Sequence, residues 1–174
     1  MTIDLRDFVN FLYVIIPQLA LAPYLDGAPS DSPLSAPFQP NSQKGRRGSQ
    51  ASLLDLLFRA LTLIFMGRNS AGSSPSWRAA AFAKRLLTAS LNWPTPAVLK
   101  TLEFVRNLMV KDPKLEAMLS TQDRVTDGIY RPDVEDPQMS NVFATSLWEL
   151  NLLARQHVDK RVRLEGQDLA KLQQ

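Results

Sequence analysis

The chain is 174 residues long, with 45% hydrophobic and 21% charged residues, enough apolar surface for a packed core and too much for wholesale disorder. It holds no cysteine and a single histidine, His157, which excludes disulfides, thiol nucleophiles, Cys-ligated zinc and any zinc site needing several imidazoles from one chain. The net charge of +3 is too small to name a partner class.

The first element spans roughly residues 3–22. Thr2 is its cap, and Leu5, Phe8, Leu12, Ile16 and Leu19 recur at helical spacing. Pro17 removes one helical amide and predicts a kink there. Phe8 to Leu25 carries no charge over 18 residues, but Asn10, Pro17, Gln18 and Pro23 interrupt it. A buried core helix suits that pattern better than a membrane span, which needs ~20 predominantly apolar residues. The acids Asp4 and Asp7 around Arg6 are also wrong for the start of a signal peptide. Residues 1–25 therefore form the first helical unit.

Residues 26–51 differ in kind. Pro29, Pro33, Pro37 and Pro40, five serines and the cluster Lys44-Gly45-Arg46-Arg47-Gly48 predict a disordered, basic insertion. Residues 52–174 then read as continuous helical sequence. Ser52 and Asp55 have capping-box spacing before Leu54, Leu57, Phe58, Leu61 and Phe65, with Gly67 as the stop. After a serine-rich link at 68–74, a third helix covers about 76–90, with Phe82, Leu86 and Ala89 on one face. Thr95-Pro96 starts a fourth, carrying Leu99, Leu102, Val105 and Met109. Asp112-Pro113 starts a short helix ending near Ser120. An acidic connection at 121–139 precedes a helix from Ser140 to about His157 and a last amphipathic piece at 162–172. No alternating strand pattern is present. The fold class is all-α: a HEAT-like α-solenoid fragment of antiparallel helices with a long disordered insertion.

Several chemical motifs fail on their own terms. Gly67 and Gly72 have phosphate-loop spacing, but Ser73 stands where the lysine is needed and a helix precedes the loop instead of a strand. Asp123, Asp127, Asp133, Glu135 and Asp136 crowd one loop without the order of a calcium-binding loop; Asp127-Gly128 reads as a turn and Asp136 as a cap before Pro137. His157 has no nucleophile context and reads as a polar cap on the end of its helix. Charge is uneven: residues 44–111 hold eleven bases and two acids, whereas 112–149 hold three bases and eight acids. Arg46, Arg47, Lys84 and Arg85 in the basic middle are candidate RNA-phosphate contacts.

One stretch is more specific. From Glu135-Asp136-Pro137 through Ser140, Ala144 and Ser146-Leu147-Trp148-Glu149-Leu150 to His157, the chain resembles the C-terminal signature of the CCAAT-binding factor (CBF) family. Asp123 to Gly128, the early Asp4-Leu5, Phe8 and Leu12-Tyr13, and Leu115 to Leu119 look like the nucleolar complex protein 3 branch of it. After His157, Val158-Asp159-Lys160 departs from the family pattern. Family members are much longer, so the resemblance implies a C-terminal portion. It further implies a non-catalytic scaffold of the nucleus and nucleolus acting in large ribosomal subunit (pre-60S) assembly and rRNA processing. The implied partners are a nucleolar complex protein 2-like protein, the pre-60S particle, and pre-rRNA or chromatin. The alternative is a chromatin-associated DNA replication initiation factor. Catalytic residues, cofactors, metals, membrane and small-molecule substrate are not expected.

Trp148 lies about 100° around its helix from Leu147. It is expected on a second buried face, enclosed by the chain, with a partner-facing anchor as the alternative.

Overall fold

The computed structural model describes residues 6–22, 25, 52–67, 75–120 and 128–173. Among them every regular element is helical: α1 (Arg6–Leu19), α2 (Leu53–Phe65), α3 (Ser76–Ser90), α4 (Thr95–Lys111), α5 (Trp148–Gln156) and α6 (Lys160–Ala170). Short 3-10 helices cover Pro113–Leu119, Pro137–Ser140, Val142–Ala144 and Lys171–Gln173. The all-α, solenoid-like expectation holds. The insertion at 26–51, the link at 68–74 and Thr2 lie outside the described residues, as do Asp123 and Asp127.

α3 is the interior helix. It packs against α1, α4 and α5 and against three of the 3-10 helices. The sequence explains why it tolerates neighbours on every side: Ala79, Ala80, Ala81 and Ala83 let other elements approach closely around Phe82, Leu86 and Leu87, and all of these are buried. The four-residue connection from α3 to α4 and the three-residue connection from α5 to α6 turn each pair back on itself. In the first connection Trp93 is buried and its indole N–H donates to the Leu19 carbonyl at 3.2 Å, closing the end of α1. Phe65 sits edge-on to both Phe82 and Phe104, tying α2 to α3 and α4.

Local signals succeed where a specific side chain makes them. Ser52 and Asp55 form the capping box, each accepting from the other's backbone amide. Asp112, Asp136 and Asp159 each accept from the amide two residues on. The α1 stripe is rotated from the expected one: Val9, Leu12, Tyr13, Ile16 and Leu19 are buried, whereas Phe8 is 49% exposed. Pro17 falls in the last turn, and the Tyr13 carbonyl that its missing amide would have bonded accepts instead from the Arg85 side chain at 2.9 Å.

The helix expected from Ser140 begins only at Trp148. Asn141 adopts a left-handed conformation, φ 47° and ψ 49°, which ends one 3-10 turn and starts the next. The Leu147 amide donates to the Met118 carbonyl at 2.8 Å instead of continuing a helix backwards. Gly128 takes φ +110°, and a Cβ there would meet the Asn141 side-chain amide at 2.8 Å, so this position has both a conformational and a steric reason for glycine; the expected Asp127-Gly128 turn lies partly outside the described residues.

Candidate functional site

The signature residues and the two basic residues of α3 meet in one place. Lys84 is 1% exposed and Glu149 is 0% exposed, and their side chains pair at 2.8 Å. Lys84 Nζ also donates to the Ser146 carbonyl at 2.7 Å, and the Thr88 hydroxyl donates to the other Glu149 carboxylate oxygen at 2.6 Å. Both glutamate oxygens are thereby occupied, which is what a buried carboxylate requires. Burial holds the Lys84 ammonium below its ordinary pKa, with Glu149 partly offsetting the shift. Lys84 lies under the Trp148 ring at 5.0 Å and beside the Tyr130 ring at 5.7 Å.

Arg85, the next residue of α3, makes a separate set of bonds. One terminal nitrogen donates to the Tyr13 carbonyl at 2.9 Å, and the other donates to the Pro132 and Val134 carbonyls at 2.5 and 3.0 Å. Its guanidinium stacks on the Tyr13 ring at 3.6 Å. It thus ties α1 and the 130–134 segment to the interior helix. The Tyr13 hydroxyl lies near Ser140 and Tyr130 but is buried without a hydrogen bond of good geometry. Burial pushes both Tyr13 and Tyr130 above the ordinary tyrosine range.

These placements correct the expectation for Lys84 and Arg85. Neither is on an outward basic face; both are buried, and neither belongs to a row of exposed cations such as tracking a phosphate backbone requires. Arg46 and Arg47 lie outside the described residues. The sequence did contain a warning for Lys84 and Arg85: they follow an alanine-rich run and precede Leu86-Leu87, which places them among small and apolar residues inside a helix and not on a basic face.

The remaining signature residues are structural at close range. Asp136 caps the 3-10 helix at Pro137, which is buried, and pairs with Arg6 at 3.6 Å. Leu147 and Leu150 are buried in the core. His157 does not act on the carbonyls ending α5 through its ring; its Nδ1 accepts from the Asp159 amide at 3.1 Å, at the start of α6. Trp148 is 47% exposed, which overturns the enclosed placement and leaves the indole as a rim residue. The acids Asp133, Glu135 and Asp136 form no metal-holding group of three or more among the described residues. No helix among those residues is long and apolar enough to cross a membrane.

Comparison with known proteins agrees with this motif. The chain matches the CBF/Mak21 family over residues 2–164. It is 30% identical over 169 residues to nucleolar complex-associated protein 3 of Schizosaccharomyces pombe, covering 97% of this chain and 22% of that protein. It is 28% identical over 155 residues to the Saccharomyces cerevisiae protein of the same name, covering 89% of this chain and 23% of the relative. Over 90 residues it is also 34% identical to the human nucleolar complex protein 4 homolog, covering 51% of this chain and 17% of that one. The chain thus spans under a quarter of these relatives' lengths. A family match across nearly all of its helices, joined to the signature packed on α3, places the chain in the CBF/Mak21 family.

Proposed function

We propose that the chain is a non-catalytic helical scaffold of the nucleolus, acting in large ribosomal subunit (pre-60S) assembly and rRNA processing by presenting surfaces to a nucleolar partner protein and to pre-rRNA. The nucleolar location and the complex follow the names of the relatives, and a protein related to nucleolar complex protein 2 is the partner this reading favours. The observation that carries the scaffold reading is the Lys84–Glu149 pair. The signature's one buried acid, which in an enzyme would be the first candidate for proton transfer, is bonded on both oxygens to hold α5 onto α3. On this reading phosphate contact falls to Arg46 and Arg47 instead of Lys84 and Arg85.

Sedimentation of the tagged chain on a sucrose gradient tests it. Cosedimentation with large pre-ribosomal particles, lost after RNase treatment, is the expected result. A chain that stays at the top of the gradient in a nucleolar extract overturns the scaffold role. Reversing Arg46 and Arg47 to Glu is expected to weaken RNA binding for all sequences and to flatten its salt dependence.

A further inference from the structure

A groove of about 440 Å³ runs between the last turn of α1, the C-terminal half of α3, the 130–132 segment and the first turn of α5. Its charged lining is Lys84, Arg85 and Glu149, two cations against one carboxylate. Glu149 is committed to Lys84 and Thr88. Arg85 has no carboxylate at ion-pairing distance among the described residues; its three hydrogen bonds all go to backbone carbonyls. A guanidinium has five donors, so the bonded set leaves some unused. A cation held out of water without a counter-charge is costly, and its attraction for an anion is screened less in a groove than on open surface. The rest of the lining is mostly apolar, with Pro17, Ala20 and Pro132 as walls and the half-exposed Trp148 ring at the rim.

We infer that this groove takes a carboxylate-bearing segment of a protein partner, with one Asp or Glu side chain directed at Arg85 and an apolar neighbour laid on the Trp148 indole. The inference rests on the reading of the chain as a protein-binding scaffold. It uses both halves of the lining, the uncompensated cation and the apolar wall with its aromatic anchor. A nucleic acid strand uses neither well, because backbone binding needs a row of cations along the strand, and here a single uncompensated cation sits in an apolar setting.

The test titrates the intact chain against a synthetic array of nonapeptides. Each carries a central Glu flanked by combinations of Leu, Phe, Pro and Ser, and each has a counterpart with central Gln. Apolar-flanked Glu peptides are expected to bind and to lose about tenfold or more in affinity as the Gln form, a difference of ~1.4 kcal/mol or more. Asn92→Asp adds a negative charge to the groove lining at an exposed position, and Trp148→Ala removes the rim. Each is expected to weaken binding by about tenfold; Asn92→Asp, at an exposed position, is expected to leave Tm unchanged and so separates a groove effect from loss of fold, whereas Trp148→Ala also uncovers Lys84. Equal affinity for Glu and Gln peptides overturns the carboxylate assignment. Binding insensitive to both variants moves the site elsewhere. No binding across the array overturns the inference outright, as does a decauridylate oligonucleotide that binds in a Trp148- and Asn92-dependent way where the peptides do not. Cosedimentation of the unmodified chain with pre-ribosomal particles, read separately, shows whether the scaffold reading stands when the groove inference fails.

Discussion

Lys84–Glu149 and Lys100–Asp55 are joined at almost the same distance, 2.8 and 2.7 Å, yet the first pair is enclosed between α3 and α5 while the second bridges α4 and α2 in open solvent. In the exposed pair each partner is about half accessible, so water already solvates both charges and little is lost when they part. In the buried pair the charges have been taken out of water, and each depends on the other together with one neutral partner, the Ser146 carbonyl for Lys84 and the Thr88 hydroxyl for Glu149. The length of an ion pair therefore says little about its role. What surrounds it decides whether it is a fastening or a decoration.

Glu149→Ala is the largest break this comparison predicts. It strands the Lys84 ammonium in the core and frees the Thr88 hydroxyl, and a loss of about 3–5 kcal/mol is expected in urea unfolding. Lys84→Met combined with Glu149→Leu removes both charges and keeps the volume. The double variant is expected to recover most of that loss, because a buried pair is worth little over well-packed apolar groups. Were the double variant as unstable as Glu149→Ala, the cost would lie in packing and not in the stranded charge.

A smaller loss is expected at the α5–α6 contact, where no charge is involved. A Cβ on Gly166 would meet the Ala154 Cα and backbone nitrogen at 3.1 Å. Backbone atoms in the middle of a helix cannot rotate aside as a side-chain tip can. Gly166→Val is therefore expected to cost about 1–3 kcal/mol in thermal unfolding, although valine is the better helix former. An unchanged or raised Tm would mean that α6 can slide away from α5 at no cost.

The difference between these two regions also marks what the sequence could and could not reveal. Helix starts were legible at Ser52 with Asp55, at Asp112 and at Asp136, whereas the Asp159 cap that starts α6 at Lys160 was not, the last helix being expected only from 162. Nor was the break before Trp148, because Phe143, Leu147, Leu150 and Ala154 keep helical spacing straight through it. The competing signal was composition: Ser140, Asn141, Val142, Thr145 and Ser146 are poor helix formers, and Asn141 tolerates the left-handed conformation that stops the turn. The long-range bonds from Leu147 to Met118 and from Lys84 to Ser146 that hold the broken form have no local trace. The burial of Lys84 and Arg85 was missed for a related reason: a basic residue is read as outward by default, and only the partners at Glu149, Pro132 and Val134 reverse that. Trp148 was misplaced because position around a helix does not specify which of two faces a neighbour covers.

The buried hydroxyls give a reading of the same interior that depends on pH. Burial holds Tyr13 and Tyr130 neutral above the ordinary tyrosine pKa of 10.0. Above that pH the unfolded chain releases protons that the folded one retains, so stability falls as pH rises through 10. Lys84 acts in the opposite sense: with its folded pKa below 10.5, the folded chain loses that proton first, and stability rises with pH between the two values. The chain has three tyrosines, and in Tyr24→Phe only these two remain. Tyrosinate absorbance in that variant is expected to appear together with unfolding, above the pH at which free tyrosine titrates. A separate transition centred near pH 10, before unfolding, would show the two rings to be solvated.

The smallest effect belongs to Lys100→Ala, and it is the control on which the comparison turns. The Lys100 ammonium lowers the Asp55 pKa chiefly by hydrogen bonding, with Ser52 of the capping box contributing next. Stability from Asp55 is thus present above its unfolded pKa of about 3.8 and is lost as pH falls through the lowered folded value. Both side chains are open to water, so removing Lys100 leaves Asp55 solvated and still bonded to the Ser52 amide. The urea midpoint of Lys100→Ala is expected to match the unmodified chain within error near neutral pH and to be insensitive to salt. Asp55→Ala is expected to shift it further, because that change also removes half of the capping box at the start of α2. If Lys100→Ala instead approached the loss from Glu149→Ala, exposure would not be what separates the two pairs, and α2 would depend on α4 through this bridge.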